Sequence, residues 1–142
     1  MSIKSKEEIE IMRQGGKILA RVLQELAAEV KAGAGLKHLD GLAEKLVLSY
    51  GAQPSFKGYK PAGAKKAYPA SLCLSLNHEV VHGVPDDRIL KDGDIIGLDL
   101  GVLHNGYHTD GAITLGVGQV SKSARQLMLV TEDVLDLAVG LV

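Results

Sequence analysis

The segment NHEVVHGVP at residues 77–85 contains a literal H-E-x-x-H motif that begins at His78 and ends at His82. On a helix, this motif brings both imidazoles to one zinc ion, and the glutamate acts on the bound water. Here the motif follows an alternating strand pattern, contains two β-branched valines and runs directly into Gly83 and Pro85. At ~3.3 Å of rise per residue, an extended backbone holds the two histidines too far apart to bind one ion in that way. The zinc-protease interpretation is therefore disfavoured, and we expect one histidine to act alone and the other to lie at the surface.

Two aspartates form a second candidate metal site. The dipeptide Asn105-Gly106 is a strong hairpin signal, and a two-residue loop there places Asp99 directly opposite Ala112. Asp110 then lies on the same face as Asp99, as a diagonal neighbour with α-carbons ~7–8 Å apart. Two like charges on a largely apolar sheet repel each other, and a bridging divalent cation would remove that cost. The alternative is a pair of exposed aspartates, and spacing alone does not choose between the two.

The neighbours of Asp99 and Asp110 also bear on whether the two aspartates form a metal site. Gly97 and Gly101 flank Asp99 on its face of the strand and are expected to leave room above the carboxylates. His108 shares the face of Asp110, where a hydrogen-bonding neighbour or an exposed side chain is favoured over a third ligand. The opposite face carries large apolar residues and should belong to the core: Ile96, Leu98, Leu100 and Val102.

The periodicity of the chain predicts the elements that position these residues. Ser5 and Glu8 have the spacing of a capping box, which predicts a first helix that runs to about Val30. A second helical pattern begins near Leu39 and is stopped by Gly51 and Pro54, and residues 55–69 read as a long loop. Alternation then predicts three antiparallel strands, at Leu72–Asn77, Asp94–Leu103 and Tyr107–Val117. The order of helix, helix and antiparallel sheet indicates an α+β fold.

Composition sets the broad class of protein. The chain has 142 residues, of which 46% are apolar, and a formal net charge of -1, so it suits one domain with no general attraction to DNA or to membranes. The single cysteine, Cys73, and an amino terminus without an apolar run favour a cytoplasmic protein. Four lysines in the loop form a cluster that either contacts an acidic partner such as ribosomal RNA or, as we favour, is simply solvated: Lys57, Lys60, Lys65 and Lys66.

In order along the chain, the segments EEIEIMRQGGKI, AQPSFKGY, YPASLCLSLNHEVVHGVPDD, LKDGDIIGLDLG and GYHTDGA resemble the type I methionine aminopeptidases. That family has the pita-bread fold. The resemblance implies half of such a fold, with two helices packed on an antiparallel sheet. It also implies hydrolysis of the amino-terminal methionine from nascent polypeptides, by a water or hydroxide that two metal ions bridge.

The resemblance assigns roles to individual residues. Asp99 and Asp110 fall on ligands of a centre that holds two divalent metal ions (cobalt, manganese, iron or zinc), and His82 falls on the catalytic histidine, while His78 has no such role. Four residues fall on or near positions that line the methionine pocket: Phe56, Tyr59, Tyr68 and Cys73. A sulfur atom and aromatic faces suit a thioether side chain, although a buried cysteine on a strand also serves plain packing. An insertion at KPAGAKKA affects the placement of Tyr59.

The family takes further ligands, a histidine and two glutamates, from a second, pseudo-symmetric half. In this chain all five histidines lie at or before His108, and Glu132 is the only glutamate after Glu79. We therefore expect residues 1–142 to be the amino-terminal portion of one catalytic domain, with 1–120 as the first half and 121–142 as the first helix of the missing half. Such a chain should be an inactive fragment that lacks its partner half. Two alternatives are a non-catalytic pita-bread module that binds peptides or partners, and a homodimer of half-domains.

Overall fold

The computed structural model describes residues 3–142 and contains three helices and one antiparallel sheet. The element order is α1 (Lys6–Glu29), α2 (Leu36–Ser49), β1 (Gln53–Pro54), β2 (Leu72–Leu76), β3 (Ile95–His104), β4 (Tyr107–Gly116) and α3 (Lys122–Val139). The predicted order of helix, helix and antiparallel sheet is confirmed. The two-residue strand β1 was not predicted, because its residues follow a turn directly and their pattern shows no alternation.

Helix α1 begins at the predicted capping box. The Glu8 backbone N–H donates to Ser5 Oγ at 3.2 Å, and the Ser5 N–H donates to the Glu8 carboxylate at 2.6 Å. These reciprocal bonds satisfy two backbone donors that the first turn leaves unpaired. One face of the helix is buried against the sheet: Gly15, Leu19, Val22, Leu23 and Leu26.

Strand β3 is the centre of the sheet. It pairs with β4 along one edge and with β2 and β1 along the other. The β3–β4 register runs from Ile95 opposite Gly116 to His104 opposite Tyr107, so the predicted pairing of Asp99 with Ala112 is confirmed. The turn between them has positive φ angles of 47° at Asn105 and 84° at Gly106, as a type I′ turn requires.

The two faces of β3 have different environments. Its apolar side chains are fully buried on the side that faces α1, as predicted: Ile96, Leu98, Leu100 and Val102. On β4, Gly111 lies against Leu19 of α1, which shows that the odd-numbered residues of β4 share this core face. Asp99 and Asp110 therefore project from the opposite face, away from α1 and α2.

Helix α3 forms at the predicted place but buries none of its residues. Its amino terminus is capped by Ser121, whose Oγ accepts a hydrogen bond of 3.1 Å from the Ala124 N–H. Leu127 and Leu137 on its apolar stripe are 62% and 66% exposed. No helix among residues 3–142 has the combination of length and hydropathy needed to cross a membrane.

Candidate active site

The segment that carries His82 is attached to the edge of β2. The Leu74 N–H donates to the Gly83 carbonyl at 2.9 Å, and the Gly83 N–H donates to Ser75 Oγ at 3.3 Å. A β-carbon on residue 83 would lie 2.1 Å from the Leu74 carbonyl oxygen, so only glycine permits this approach. The backbone next to His82 is therefore held directly against the strand that neighbours β3.

His82 itself has a strained backbone. Its φ angle is +57°, in the left-handed region that costs a residue with a β-carbon about 1–3 kcal/mol. Asn77 and Asn105 also have positive φ angles, but both lie in turns, where asparagine is common. His82 is exposed and directly precedes Gly83, which is bonded to β2, and Pro85, further along the chain, is buried. Such strain is typical of positions where the direction of a side chain matters.

The two aspartates converge as the hairpin predicts. Asp99 pairs with Cys73 of β2 and with Ala112 of β4, while Asp110 pairs with Gly101. Burial raises the pKa of the Asp99 carboxyl, and the charge of Asp110 and a hydrogen bond between the two carboxyls raise it further. The electrostatic influence of the nearby His82 on this pKa acts in the opposite direction. Asp99, Asp110 and His82 therefore interact on one face of the sheet.

These interactions predict that Asp99 destabilises the folded chain. Because its carboxyl pKa is higher in the folded than in the unfolded state, stability falls as the pH rises through the interval between the two values. Asp99→Asn, which removes the half-buried charge, is expected to raise the thermal midpoint at pH 7 by roughly 2–4 °C. The gain should shrink as the pH falls through this interval and vanish below the unfolded-state pKa, where the carboxyl is protonated in both states.

Asp133→Asn is the matched control, since it makes the same change in net charge on the exposed surface of α3. Calorimetry of both variants between pH 7 and pH 5 measures the effect. A midpoint for Asp99→Asn at or below that of the unchanged chain would show that this carboxylate is not under electrostatic strain.

Aromatic residues and a thiol lie beside the aspartates. The rings of Phe56 and Tyr68 meet edge to face, with centroids 6.4 Å apart. Burial raises the pKa of the Cys73 thiol. Burial and, to a smaller extent, the neighbouring Cys73 thiol raise the pKa of the Tyr68 hydroxyl well above its usual range. Three of the four predicted pocket residues are therefore grouped on the side of the sheet that carries Asp99.

One expectation about this face is wrong in part. The space above Gly101 is not open, because a β-carbon there would lie 2.6 Å from Phe56 Cε1 and 2.8 Å from Ser55 Cβ. Because Gly101 has no side chain, the ring of Phe56 can pack directly against its backbone. At Gly97 the nearest atoms would be at an ordinary 3.8 Å, so the room expected there is present.

Two other residues that the sequence singled out, Tyr59 and His108, lie at the edge of this group of side chains. The side chain of Tyr59 is 62% exposed, although its carbonyl accepts a hydrogen bond of 2.8 Å from the Tyr68 N–H. His108 is exposed, and its Nδ1 lies 2.9 Å from Ser55 Oγ. His108 thus takes the role of a hydrogen-bonded surface residue, which the sequence favoured over that of a third ligand.

The glutamate of the H-E-x-x-H motif is already engaged. Glu79 accepts a hydrogen bond of 2.8 Å from the Leu76 N–H and two from the Arg88 guanidinium, at 2.8 and 3.2 Å. Arg88 is the main reason that the pKa of Glu79 is lowered. Residues 78–82 form no helix, as predicted, and His78 is exposed. The motif therefore lacks the arrangement that a zinc protease needs.

Asp40 is a structural residue that the sequence did not single out. Its carboxylate Oδ1 accepts hydrogen bonds from the Ser71 and Leu72 N–H groups, both at 2.9 Å. These bonds attach α2 to the start of β2 and thereby fix the strand that carries Cys73. A single aspartate within a helical pattern gives no local signal of such a distant partner.

The donor set suits a divalent cation but is incomplete. Two carboxylates that repel each other on a partly buried surface are suitable oxygen ligands for such an ion. Among residues 3–142, no group of three or more histidine, cysteine, aspartate or glutamate side chains is placed to hold a metal ion. Asp99 and Asp110 therefore provide part of the donor set that a metal centre needs.

Comparison with known proteins gives a consistent result. The sequence profile of metallopeptidase family M24 matches residues 10–142. The chain is 44% identical to a methionine aminopeptidase of Clostridium perfringens over 92% of its own length and 50% of the relative's. It is 45% identical to methionine aminopeptidase 1 of Bacillus subtilis, with the same coverage of both chains. The crystal structure of methionine aminopeptidase from Thermotoga maritima aligns with a TM-score of 0.91 at 33% identity, over 97% of this chain and 53% of that one. The chain thus spans about half the length of the curated relatives it matches.

Proposed function

This chain belongs to metallopeptidase family M24, and on that premise we propose that the protein, at the full length of its relatives, removes methionine from the amino termini of polypeptides. Its fold is half of the pita-bread fold of that family, with helices on an antiparallel sheet. The observation that carries the proposal is the convergence of Asp99, Asp110 and His82 on the sheet face opposite α1 and α2.

Asp99 and Asp110 would hold the metal ions, with further ligands from the part of the relatives that this chain does not span. Carboxylate oxygens accept cobalt, manganese, iron or zinc, so these two residues do not select one of the four. When bound, such ions polarise the scissile carbonyl and make a water molecule nucleophilic at neutral pH. The half-buried position of Asp99 strengthens every charge interaction at this face, because less water screens it.

His82 contacts the scissile peptide in this proposal. His82 is exposed, the backbone of the next residue, Gly83, is bonded to β2, and His82 lies near enough to Asp99 to affect that carboxyl. An imidazole N–H at this place can donate a hydrogen bond to the oxygen on which negative charge develops during hydrolysis. His82 would therefore stabilise the tetrahedral intermediate and orient the substrate.

Phe56, Tyr68 and Cys73 form the surface that recognises methionine. Two aromatic faces and a sulfur atom provide polarisable contacts for a thioether side chain. Tyr59, which is mostly exposed, would lie at the entrance of this pocket.

The partners and location follow from the same function. Nascent polypeptides in the cytoplasm are the proposed substrates. Lys57 already forms an ion pair with Glu44 at 2.7 Å, whereas Lys60, Lys65 and Lys66 are exposed on the loop at 55–69. For these three lysines, contact with ribosomal RNA is the alternative to simple solvation, which the sequence favours.

A chimera tests the function directly. Residues 1–142 are joined to the unmatched half of the Bacillus subtilis relative, and the product is assayed with cobalt or manganese. We expect release of methionine from a Met-Ala-Ser peptide, with little release of leucine from Leu-Ala-Ser and none from the acetylated methionyl peptide. The Asp99→Asn, Asp110→Asn double variant is the control. A folded chimera that binds methionyl peptides without cleaving them would instead support a non-catalytic binding module.

A further inference from the structure

Tyr68 makes contacts that a residue lining a methionine pocket does not need. Its hydroxyl lies 3.0 Å from the Gly83 carbonyl oxygen and 3.3 Å from the Leu72 carbonyl oxygen. A tyrosine hydroxyl has one proton to donate, so the shorter distance marks Gly83 as the principal acceptor. The ring thus spans from the start of β2 to the segment that follows His82.

The Gly83 carbonyl is the point at which this segment is held. It accepts both the Tyr68 hydroxyl and the Leu74 N–H, the latter at 2.9 Å. A carbonyl oxygen has two lone pairs, and here both have a donor. This carbonyl belongs to the 83–84 peptide group, and the 82–83 peptide group is held by the bond of 3.3 Å from the Gly83 N–H to Ser75 Oγ. Because both peptide groups of Gly83 are bonded, the direction in which the adjoining His82 projects is limited.

The strain at His82 requires such a restraint. A φ angle of +57° persists only where surrounding contacts determine it. Tyr68 is itself held in place, because its ring packs edge to face on Phe56 and its N–H donates to the Tyr59 carbonyl. A rigid donor therefore holds the acceptor next to a strained residue.

We propose that Tyr68 is a positioning residue for His82: its hydroxyl, donating to the Gly83 carbonyl, holds the 82–83 segment on β2 and keeps His82 in its left-handed conformation. This inference rests on the proposed function and deepens it, since it gives Tyr68 a role in the chemical step as well as in methionine binding. The hydroxyl acts through the backbone and need not touch the substrate.

The first test is hydrogen exchange measured by mass spectrometry on the full chain. Tyr68→Phe keeps the ring and its contact with Phe56 but removes the hydroxyl. We expect the Leu74 amide to exchange about five- to tenfold faster, because its acceptor is now free to move, while amides of β3 remain unchanged. Tyr50→Phe removes a hydroxyl that is hydrogen-bonded to Glu25 of α1, outside the proposed site, and is the matched control. Unchanged exchange at Leu74 in Tyr68→Phe would overturn the proposal.

The second test separates positioning from pocket lining in the chimera described above. If Tyr68 positions His82, Tyr68→Phe should lower kcat by about tenfold or more and change KM little. A rise in KM at constant kcat would assign Tyr68 to methionine binding alone and reject the positioning role. Hydrogen exchange does not depend on turnover. An inactive chimera would therefore count against the proposed function, while exchange at Leu74 would still decide the role of Tyr68.

Discussion

Replacement of His82 by alanine in the chimera is expected to lower turnover of a methionyl peptide by about 10²- to 10³-fold. That is the usual loss when one hydrogen-bond donor to a developing oxyanion is removed. Metal content should stay nearly unchanged, because the carboxylates of Asp99 and Asp110 are retained. Turnover of Met-Ala-Ser and metal content by elemental analysis, measured on the same sample, check both parts.

His78→Ala is the matched control for this prediction. It removes the same type of side chain four residues earlier, from an exposed position in a turn. We expect turnover within a factor of about two, since surface substitutions away from a site have little effect. Loss of bound metal on changing His78 would revive the zinc-protease interpretation. Full turnover in His82→Ala would remove His82 from the mechanism.

The placement of the aspartates was predictable because it depends on local signals. A two-residue turn at Asn105-Gly106 fixes which residues of the hairpin face each other, and side chains alternate with a period of two along each strand. Those two rules suffice to place Asp110 diagonal to Asp99, as the structure does. The capping box at Ser5 is equally local, since both partners lie within four residues.

The surroundings of His82 were not predictable in the same way. The contact of Gly83 with Leu74 joins residues nine apart through a turn with no regular spacing. The ring of Phe56 over Gly101 and the bonds from Asp40 to the start of β2 join segments that are distant in sequence. Pattern rules describe a residue relative to its own element, whereas these contacts depend on how loops return to the sheet. The resemblance to a family supplied the role of His82, and the structure supplied the contacts that hold it.

The open edge of the sheet motivates a final prediction about the chain on its own. Within residues 3–142, β4 pairs only with β3, so its other edge has unpaired backbone groups. A groove of about 840 Å³ separates this region from α3, and apolar residues such as Met128 and Leu135 line it. Exposed apolar surface next to an unpaired strand edge favours self-association. We therefore expect the isolated chain to form concentration-dependent oligomers, measurable by sedimentation velocity.

The same isolated chain is expected to bind divalent cations weakly and to release no methionine. Two carboxylates leave most of the coordination of two ions to water, and the described residues include no third ligand group. Addition of the separately expressed second half of the Bacillus subtilis relative should restore turnover of Met-Ala-Ser and disperse the oligomers. Further candidate ligands and an apolar partner for α3 would then be supplied together.

Glutamine substitutions on α3 separate the self-association of the isolated chain from its lack of peptidase activity. Changing Leu127, Val134 and Leu137 on α3 to glutamine should reduce self-association of the isolated chain, because these side chains form much of its exposed apolar stripe. Leu48→Gln with Ile89→Gln makes the same kind of change at exposed apolar residues that do not line the groove and should have little effect. Neither set should give the isolated chain peptidase activity. Robust turnover by the isolated chain would show that the catalytic ligands are all present within it and that Asp99 and Asp110 are not an incomplete set.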